Sequence, residues 1–259
     1  MPRKPSLSPS KLSCYLACPH KYYWTYESQQ GQWFLRSRSY YSFGLSLHKA
    51  LQEFHQSGDA GIATKETLLS AYEENWLDSG YASADEMQAA FGEGKAILSK
   101  YAEDEGGAKS AGKVIHVEKN LRKPMGEWDL IGRADRIDEL DDGAVEVVDY
   151  KSGRKEVDEA AISSDIAMSA YALMVQDLFP ERPISARIIA LRAEGPPIRH
   201  AFTPEELAEF EFSVGELGDT IRNHYWEEFR PKPKALCASC EFITLCKRDP
   251  EFAAGILAE

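Results

Sequence analysis

Two neighbouring segments that are rich in β-forming residues each carry charged side chains, and this pattern constrains the fold most strongly. The first segment spans residues 131–138 and the second spans residues 147–153. Asp141-Asp142-Gly143 lies between them and is a strong turn signal. We therefore predict that the two segments pair as an antiparallel hairpin.

The charged groups of this hairpin have the composition of a metal and phosphate site. Because side chains alternate along a strand, Asp149 and Lys151 would share one face while Tyr150 points to the other. Pairing of the strands would bring Asp135 to the same edge. Two carboxylates can bind a hard cation, and an ammonium group beside them can face a phosphate. On these residues alone, a solvated hairpin in which Asp149 and Lys151 neutralise each other explains the pattern equally well.

The composition is that of an ordinary folded protein. The 259 residues are 43% hydrophobic and 28% charged, enough for one large domain. No apolar run approaches the roughly 18 to 20 residues of a membrane span, and no signal peptide follows the basic start. We therefore predict a cytoplasmic protein that does not contact membranes. The net charge of -12 argues against a protein that coats nucleic acid non-specifically, but it allows a local binding groove.

The five cysteines lie near the two ends of the chain, which predicts metal ligation in a reducing cytosol. Cys237, Cys240 and Cys246 supply three thiolates within ten residues. We take Cys18 as the fourth ligand because a proline follows it, and Cys14, one helical turn earlier, competes for that role. Four thiolates suit either zinc or an iron–sulfur cluster, and their spacing does not separate the two.

Hydrophobic periodicity predicts helices around a β-rich middle. One amphipathic helix carries His48 beside its apolar stripe, where a single histidine is more often a core residue than a metal ligand. We predict helices over 8–18, 20–26, 43–55, 65–77, 84–101, 159–179 and 203–229, and strands over 113–122, 128–139, 144–151, 185–191 and 197–202.

In this order the motifs resemble the PD-(D/E)XK nuclease superfamily, and specifically its RecB-like branch with an iron–sulfur cluster. That branch includes AddB-type nuclease domains and CRISPR-associated Cas exonucleases. The resembling segments run nearly from end to end: 10–23, Gly44–His48, Gly132–Asp138, Asp149–Gly153 and Cys237–Cys246. The resemblance implies an α/β, restriction-endonuclease-like core, with a mixed central sheet flanked by helices. It also implies one nuclease domain over 1–259, in which 1–30 and 231–250 form the iron–sulfur lobe and about 113–203 the catalytic core.

The resemblance also implies roles for individual residues. Mg²⁺ or Mn²⁺ would be held by His48, Asp135, Asp149 and the carbonyl of Tyr150. Lys151 would orient water or neutralise charge on the phosphate, and Tyr171 would be an accessory catalytic residue. A 4Fe–4S cluster, or alternatively Zn²⁺, would be held by Cys18, Cys237, Cys240 and Cys246.

Two positions have no settled counterpart in this pattern. Glu118 aligns with an acidic position that is common in the branch, but the sequence assigns it no role. The family often carries a glutamine four residues before the tyrosine, and this chain has Ala167 there.

The implied function is a DNA exonuclease that acts on single-stranded or frayed ends in repair, recombination or CRISPR-type processing. No Walker motif is present, so a helicase, or CRISPR adaptation proteins, would be separate partners. Two alternatives remain: a weak or inactive module that binds nucleic acid or assembles with partners, and a zinc-stapled structural protein.

Overall fold

The computed structural model describes residues 4–35, 38–57, 64–105, 112–153, 159–193, 197–226 and 229–256. The chain forms two compact units. The first unit comprises Met1–Ser6 and Ser37–Phe212, and the second comprises Leu7–Arg36 and Ser213–Glu259. The predicted catalytic core lies in the first unit, whereas both parts of the predicted cysteine lobe belong to the second. The assignment of both units to a single nuclease domain stays a prediction.

The predicted alternation of helices and strands is present. The strands are β1 (Ser6–Leu7), β2 (Gly112–Met125), β3 (Trp128–Leu140), β4 (Val145–Lys151), β5 (Ile184–Ala190) and β6 (Ile198–Phe202). The helices are α1 (Pro9–Ala17), α2 (Pro19–Tyr22), α3 (Ser39–Ser57), α4 (Lys65–Glu74), α5 (Ala84–Glu105), α6 (Glu159–Ser163), α7 (Ile166–Leu178), α8 (Pro204–Arg222), α9 (Ile243–Cys246) and α10 (Pro250–Ile256). A π-helical turn spans Tyr23–Glu27, and 3₁₀ turns span Gly31–Phe34 and Ala235–Ser239. No helix of the described residues is long and apolar enough to cross a membrane.

The strands form one mixed sheet, as the sequence predicts. The order is β1-β3-β4-β5-β6, and β2 also pairs with β3. The pairs β2–β3, β3–β4 and β5–β6 are antiparallel. The pair β4–β5 is parallel, and α6 and α7 form the crossover that a parallel connection requires.

Helices cover both faces of the sheet, and each face has its own apolar cluster. On one face α3, α4 and α5 supply residues such as Leu47, Leu68 and Leu98, which pack with Val148 and Tyr150 of β4. On the other face Met168 of α7 packs against Ala186 and Ile188 of β5. The central sheet is therefore buried between two helical layers.

The predicted antiparallel hairpin is confirmed, with its turn at the predicted place. Residues 141–144 connect β3 to β4, and Arg136 lies opposite Val148 at the end of the paired register. Extended by one residue, this register brings Asp135 across from Asp149. The backbone N–H of Tyr150 donates a hydrogen bond to Asp135 Oδ2 at 2.9 Å, which ties the carboxylate to the neighbouring strand.

A buried polar network anchors the hairpin from the face opposite Asp149. Arg136 is almost fully buried, and its Nη1 donates to the hydroxyls of Tyr101 and Tyr150, each at 3.0 Å. Its Nε and Nη2 donate to Asp138 Oδ2 at 3.1 and 2.8 Å. His55 Nε2 lies 2.9 Å from Arg136 Nη1. Because a buried charge left without its partner typically costs about 3–5 kcal/mol, this network fixes the strand positions firmly.

Two predicted helices were wrong in extent. The helix predicted over 159–179 is broken into α6 and α7, because the side-chain oxygens of Ser163 and Ser164 bond back to the carbonyl of Ala160. Asp165 then caps α7 by accepting from the N–H groups of Ala167 and Met168.

The helix predicted over 203–229 ends early, at Arg222. Beyond it, His224 Nδ1 lies 2.8 Å from the hydroxyl of Tyr15, a bond made to another element of the second unit. This tertiary contact replaces the continuation of the helix. The aromatic helix predicted over 20–26 begins as α2 and continues as the π-helical turn.

The buried network predicts a specific dependence of stability on pH. Burial, followed by the charges of Arg136 and Arg187, lowers the pKa of His55 to about 2. Below the ordinary histidine pKa of about 6.5, only the unfolded chain takes up this proton, so stability falls as the pH falls. From pH 7 to pH 5 this residue should remove about 2 kcal/mol from the free energy of unfolding.

Urea unfolding of the wild type and of His55→Gln at both pH values checks this. Glutamine keeps an acceptor for Arg136 but does not titrate, so the variant should lose stability less steeply between pH 7 and pH 5. Identical losses in the two proteins would contradict the assignment of a neutral, buried His55.

Candidate active site

Three side chains from three elements of the first unit converge on one point. His48 comes from α3, Glu118 from β2 and Asp135 from β3, and one ligand atom of each lies within 4.8 Å of the others. His48 Nδ1 is 3.3 Å from Asp135 Oδ1. We call these three residues the candidate metal centre. An imidazole nitrogen and two carboxylates form a donor set that fits a divalent cation.

Glu118 is the member of this centre to which the sequence assigns no role. It has a positive φ of 51°, an uncommon backbone conformation for a residue other than glycine. It lies on β2 between the cross-strand pairs Val117–Arg136 and Lys119–Ala134, and therefore across from Asp135 on β3. An acidic residue within a β-prone run was the available signal, but its positive φ departs from regular strand geometry, which alternation cannot predict.

The carboxylates of this centre repel one another. Burial, together with the negative charge of Asp135, raises the pKa of Glu118, although the Arg133 guanidinium, which pairs with Glu118, opposes the rise. Burial alone would lower the pKa of His48, but Asp135, Asp149 and Glu118 outweigh it, so the pKa of His48 is raised. A bound cation would therefore reduce the repulsion between the carboxylates of this centre.

Asp149 and Lys151 lie beside this centre and pair with each other. Lys151 Nζ is 2.9 Å from Asp149 Oδ2 and 3.9 Å from Asp165 Oδ2. Asp149 Oδ2 is buried, and apart from the close Lys151 ammonium it has no hydrogen-bond partner among the described residues. Asp149 is not within the 4.8 Å group formed by the candidate metal centre among the described residues. Its predicted role as a metal ligand therefore stays a prediction.

The charge state of Lys151 follows from its neighbours. Burial lowers the pKa of Lys151, but the negative charge of Asp149 more than offsets this, and the pKa is raised. Burial raises the pKa of Asp149 to about 6, with the Lys151 ammonium opposing the rise and Asp135 adding to it. Lys151 is thus a cation at neutral pH, suited to face a phosphate rather than to accept a proton.

Tyr150 and Tyr171 lie on opposite faces of the sheet. The Tyr150 ring is in the core and its hydroxyl lies 3.1 Å from that of Tyr101, as strand alternation predicts. The role of the Tyr150 carbonyl as a metal ligand stays a prediction. Burial, followed by the negative charges of Asp149 and Asp135, raises the pKa of Tyr171. The Tyr171 hydroxyl is therefore held protonated within reach of the site carboxylates.

Asp165 was not predicted as a site residue. It caps α7 and at the same time faces Lys151, so the break between α6 and α7 brings a carboxylate to the site. The sequence signal was an aspartate directly before the apolar run that begins at Ile166.

Two motif glycines allow close packing around the site. A Cβ atom at Gly44 would lie 2.8 Å from Ser152 Oγ, so a larger residue there would force the serine hydroxyl to turn away. A Cβ atom at Gly132 would lie 2.6 Å from Cε1 of Tyr171. These contacts give a steric reason for glycine in the segments Gly44–His48 and Gly132–Asp138.

The candidate metal centre opens into a cavity of about 1130 Å³. His48, Glu118 and Asp135 line it together with two consecutive tyrosines, Tyr40 and Tyr41, at the start of α3. A cavity of this size can hold a segment of a polymeric substrate.

The cysteine-bearing segments from both ends of the chain meet within the second unit. Lys234 Nζ donates to the carbonyl of Ala17 at 2.9 Å, and Lys21 Nζ is 3.8 Å from Glu241 Oε2. The proximity of the start and end segments, predicted from their cysteines, is therefore present.

The thiols themselves are near neighbours but do not converge. Burial raises the pKa of Cys246 to about 11, with Cys18, Cys240 and Cys237 adding to the rise. Among the described residues, however, no thiols come within 4.8 Å as a set of three ligands. The predicted iron–sulfur cluster or zinc ion therefore stays a prediction.

A family model describes nearly the whole chain. Residues 6–247 match the model of the PD-(D/E)XK nuclease superfamily. The chain belongs to the PD-(D/E)XK nuclease superfamily. Members of this superfamily are phosphodiesterase nucleases that use divalent metals. This confirms the superfamily that the motifs resemble.

Comparison with individual proteins adds only remote similarity. No curated protein matches the chain. The crystal structure of SSO0001 is 12% identical, with a TM-score of 0.39, covering 96% of this chain and 88% of that one. A protein provisionally named an exonuclease, from Eubacterium rectale, is 13% identical with a TM-score of 0.37, covering 83% of this chain and 93% of that one. The family assignment rests on the family model alone.

The turned backbone of Glu118 generates a prediction with a matched pair of variants. Glu118→Ala and Glu118→Gly both remove the carboxylate, but only glycine adopts the positive φ without steric cost. In EDTA, Glu118→Gly should therefore be the more stable by about 1 kcal/mol, measured by urea unfolding. In a helix or an ordinary strand the order would be reversed. A more stable alanine variant would contradict the described backbone.

Proposed function

We propose that this chain is a metal-dependent deoxyribonuclease. The observation that carries the proposal is the convergence of His48, Glu118 and Asp135 beside the Asp149–Lys151 ion pair. A hard-cation donor set and a fixed ammonium group beside it are the two elements that phosphodiester hydrolysis requires. Membership in a superfamily of nucleases supports the same reaction class.

Each residue has a definite part in this proposal. His48, Glu118 and Asp135 would hold Mg²⁺ or Mn²⁺, with Asp149 and the carbonyl of Tyr150 as further ligands. The imidazole donor favours Mn²⁺, because Mg²⁺ prefers oxygen ligands. A bound divalent ion would lower the pKa of a water molecule and polarise the phosphoryl oxygen.

The remaining residues act on the substrate through charge and position. Lys151, kept cationic by Asp149, would neutralise the charge that develops on the phosphate. Asp165 would restrain the Lys151 side chain from its other side. Tyr171, with its protonated hydroxyl near Asp149 and Asp135, would be the accessory residue that positions substrate.

We further propose that the second unit holds a four-cysteine cofactor. Cys18, Cys237 and Cys240 all raise the pKa of Cys246, which supports Cys18 over Cys14 as the fourth ligand. The buried Nε1–H of Trp24 donates no well-directed hydrogen bond to any of the described residues, but it lowers the pKa of Cys246, as a donor to a thiolate would.

We propose that this cofactor is a 4Fe–4S cluster, as the resemblance to RecB-like nucleases implies, with Zn²⁺ as the alternative. Four thiolates suit either group, and the spacing of the cysteines in the sequence does not separate the two.

The finer biological setting is part of the proposal and rests on the resemblance to RecB-like nucleases. We propose an exonuclease that acts on single-stranded or frayed DNA ends in repair, recombination or CRISPR-type processing. A separate helicase or CRISPR adaptation proteins would be its partners, in the cytoplasm. The competing proposal is a module with a weak or inactive site, and Ala167 in place of the family glutamine is the feature that favours it.

Loss of either member of the ion pair tests the nuclease proposal. Asp149→Ala and Lys151→Ala should each reduce Mn²⁺-dependent cleavage of labelled DNA by at least about 100-fold. The first removes a proposed metal ligand and the partner that fixes Lys151, and the second removes the positive charge that would face the phosphate. The control is Asp177→Ala, which removes an exposed carboxylate of α7 that pairs with Lys123. This control should cut as the wild type does. Undiminished cutting by both site variants, or cutting that survives EDTA, would overturn the proposal.

The cofactor is tested by purification without oxygen. The cluster proposal predicts a brown protein that contains iron and sulfide in about a four-to-four ratio per chain. Cys246→Ser should lose both, whereas Cys14→Ser should retain them. Colourless protein with one zinc ion per chain would establish the zinc alternative, and metal-free protein that remains folded would contradict both.

A further inference from the structure

Two exposed aromatic rings stand at the mouth of the cavity that contains the candidate metal centre. Tyr40 is 60% exposed and Tyr41 is 66% exposed, although both carry large apolar rings. Their ring centroids are 4.3 Å apart at an angle of 42°. They line the same cavity as His48, Glu118 and Asp135. We call this pair the tyrosine platform.

The helix that carries the tyrosine platform also carries His48. Tyr40 and His48 are eight residues apart on α3, which corresponds to about 12 Å along the helix axis at about 1.5 Å per residue. Stacked nucleotides rise by about 3.4 Å each, so a strand with a phosphate at His48 would present bases to the platform within about four nucleotides.

The charges of the cavity argue against binding through the phosphate backbone alone. Of the cations that line it, Arg133 pairs with Glu118 and Arg192 lies 3.0 Å from Glu93. Lys49 also lines it, but the carboxylates of Glu86, Glu93, Glu118 and Asp135 outnumber these three cations. Arg192 also stacks over the ring of Phe43. Because the net charge of the protein is -12 as well, electrostatic attraction for a polyanion is weak here. Affinity for nucleic acid at this cavity must come largely from contacts with the bases.

We propose that Tyr40 and Tyr41 bind unpaired bases of a single-stranded nucleic acid by stacking, next to the candidate metal centre. This inference rests on the proposed function, and it names the residues that would bind the unpaired bases of the substrate. The bases of a duplex are stacked on one another and are not accessible to a protein ring, whereas unpaired bases stack on tyrosine regardless of sequence. The platform therefore selects single strands or frayed ends over intact duplex.

The test measures binding separately from cleavage. Single-stranded DNA of twelve nucleotides, with the fluorescent base 2-aminopurine at one position, is titrated with protein in Ca²⁺, and a gel confirms that the strand stays intact. The reporter base is moved one position at a time along the strand, and the same strand paired with its complement serves as the duplex probe. Stacking on an aromatic ring quenches the reporter.

Three variants make the outcome specific. Tyr40→Leu with Tyr41→Leu keeps apolar bulk but removes both rings, and should bind single strands about 5- to 100-fold more weakly. Tyr40→Phe with Tyr41→Phe keeps both rings and should bind within about twofold of the wild type. Phe212→Leu removes a ring that is 72% exposed but does not line the cavity, and should change nothing. Each leucine substitution alone repeats the test if the double variant fails to fold.

The outcomes separate this inference from the nuclease proposal. Quenching confined to about four neighbouring positions, lost in the leucine variant and kept in the phenylalanine variant, supports the platform even if Mn²⁺ yields no cleavage. Equal single-strand binding by the wild type and the leucine variant overturns the platform, even if both proteins cut DNA. Equal losses in the leucine and phenylalanine variants, or a wild type that does not prefer single strands, also overturn it.

Discussion

The antiparallel register of β3 and β4 determines where the charged groups of the site lie. It places Asp135 opposite Asp149 and sends Tyr150 into the core on the other face. The bond from the Tyr150 N–H to Asp135 Oδ2 holds this register at the site itself. The hydrogen bonds from Arg136 to the Tyr150 hydroxyl and to Asp138 hold the same register from the opposite face of the hairpin. A slip by one residue would exchange the two faces and bury the charges of the site in an apolar core.

Several carboxylates lie close together around this hairpin, and their repulsion lowers the stability of the folded protein. Asp135 bonds to His48 and to the neighbouring strand, Glu118 takes up an unfavourable backbone conformation, and Asp149 has a raised pKa. The backbone of Glu118 and the buried charge of Asp149 each destabilise the protein on their own. A divalent cation bound among these carboxylates would reduce the repulsion between them. Functional sites commonly carry such local destabilisation, which the rest of the structure offsets. The buried network of Arg136 supplies the rigidity that keeps the carboxylates in place.

The parts of the site that follow from local rules could be predicted from the sequence. Alternation along a strand was sufficient to place Asp149 and Lys151 on one side and Tyr150 on the other. Glu118 could not be assigned, because its positive φ departs from the regular strand geometry on which alternation depends. Asp165 was hidden within a predicted helix that two serines interrupt. Cysteine spacing predicted that both chain ends meet, but spacing alone does not specify the cofactor.

The central claim is that His48, Glu118 and Asp135 bind the catalytic cation beside Lys151. Crystals soaked in Mn²⁺ and measured by anomalous scattering test it most directly. The account predicts a manganese peak bonded to His48 Nδ1 and to carboxylate oxygens of Glu118 and Asp135, with Glu118 released from Arg133. A crystal that lacks a peak at this group, or one with manganese on Asp149 while Glu118 still pairs with Arg133, would contradict it.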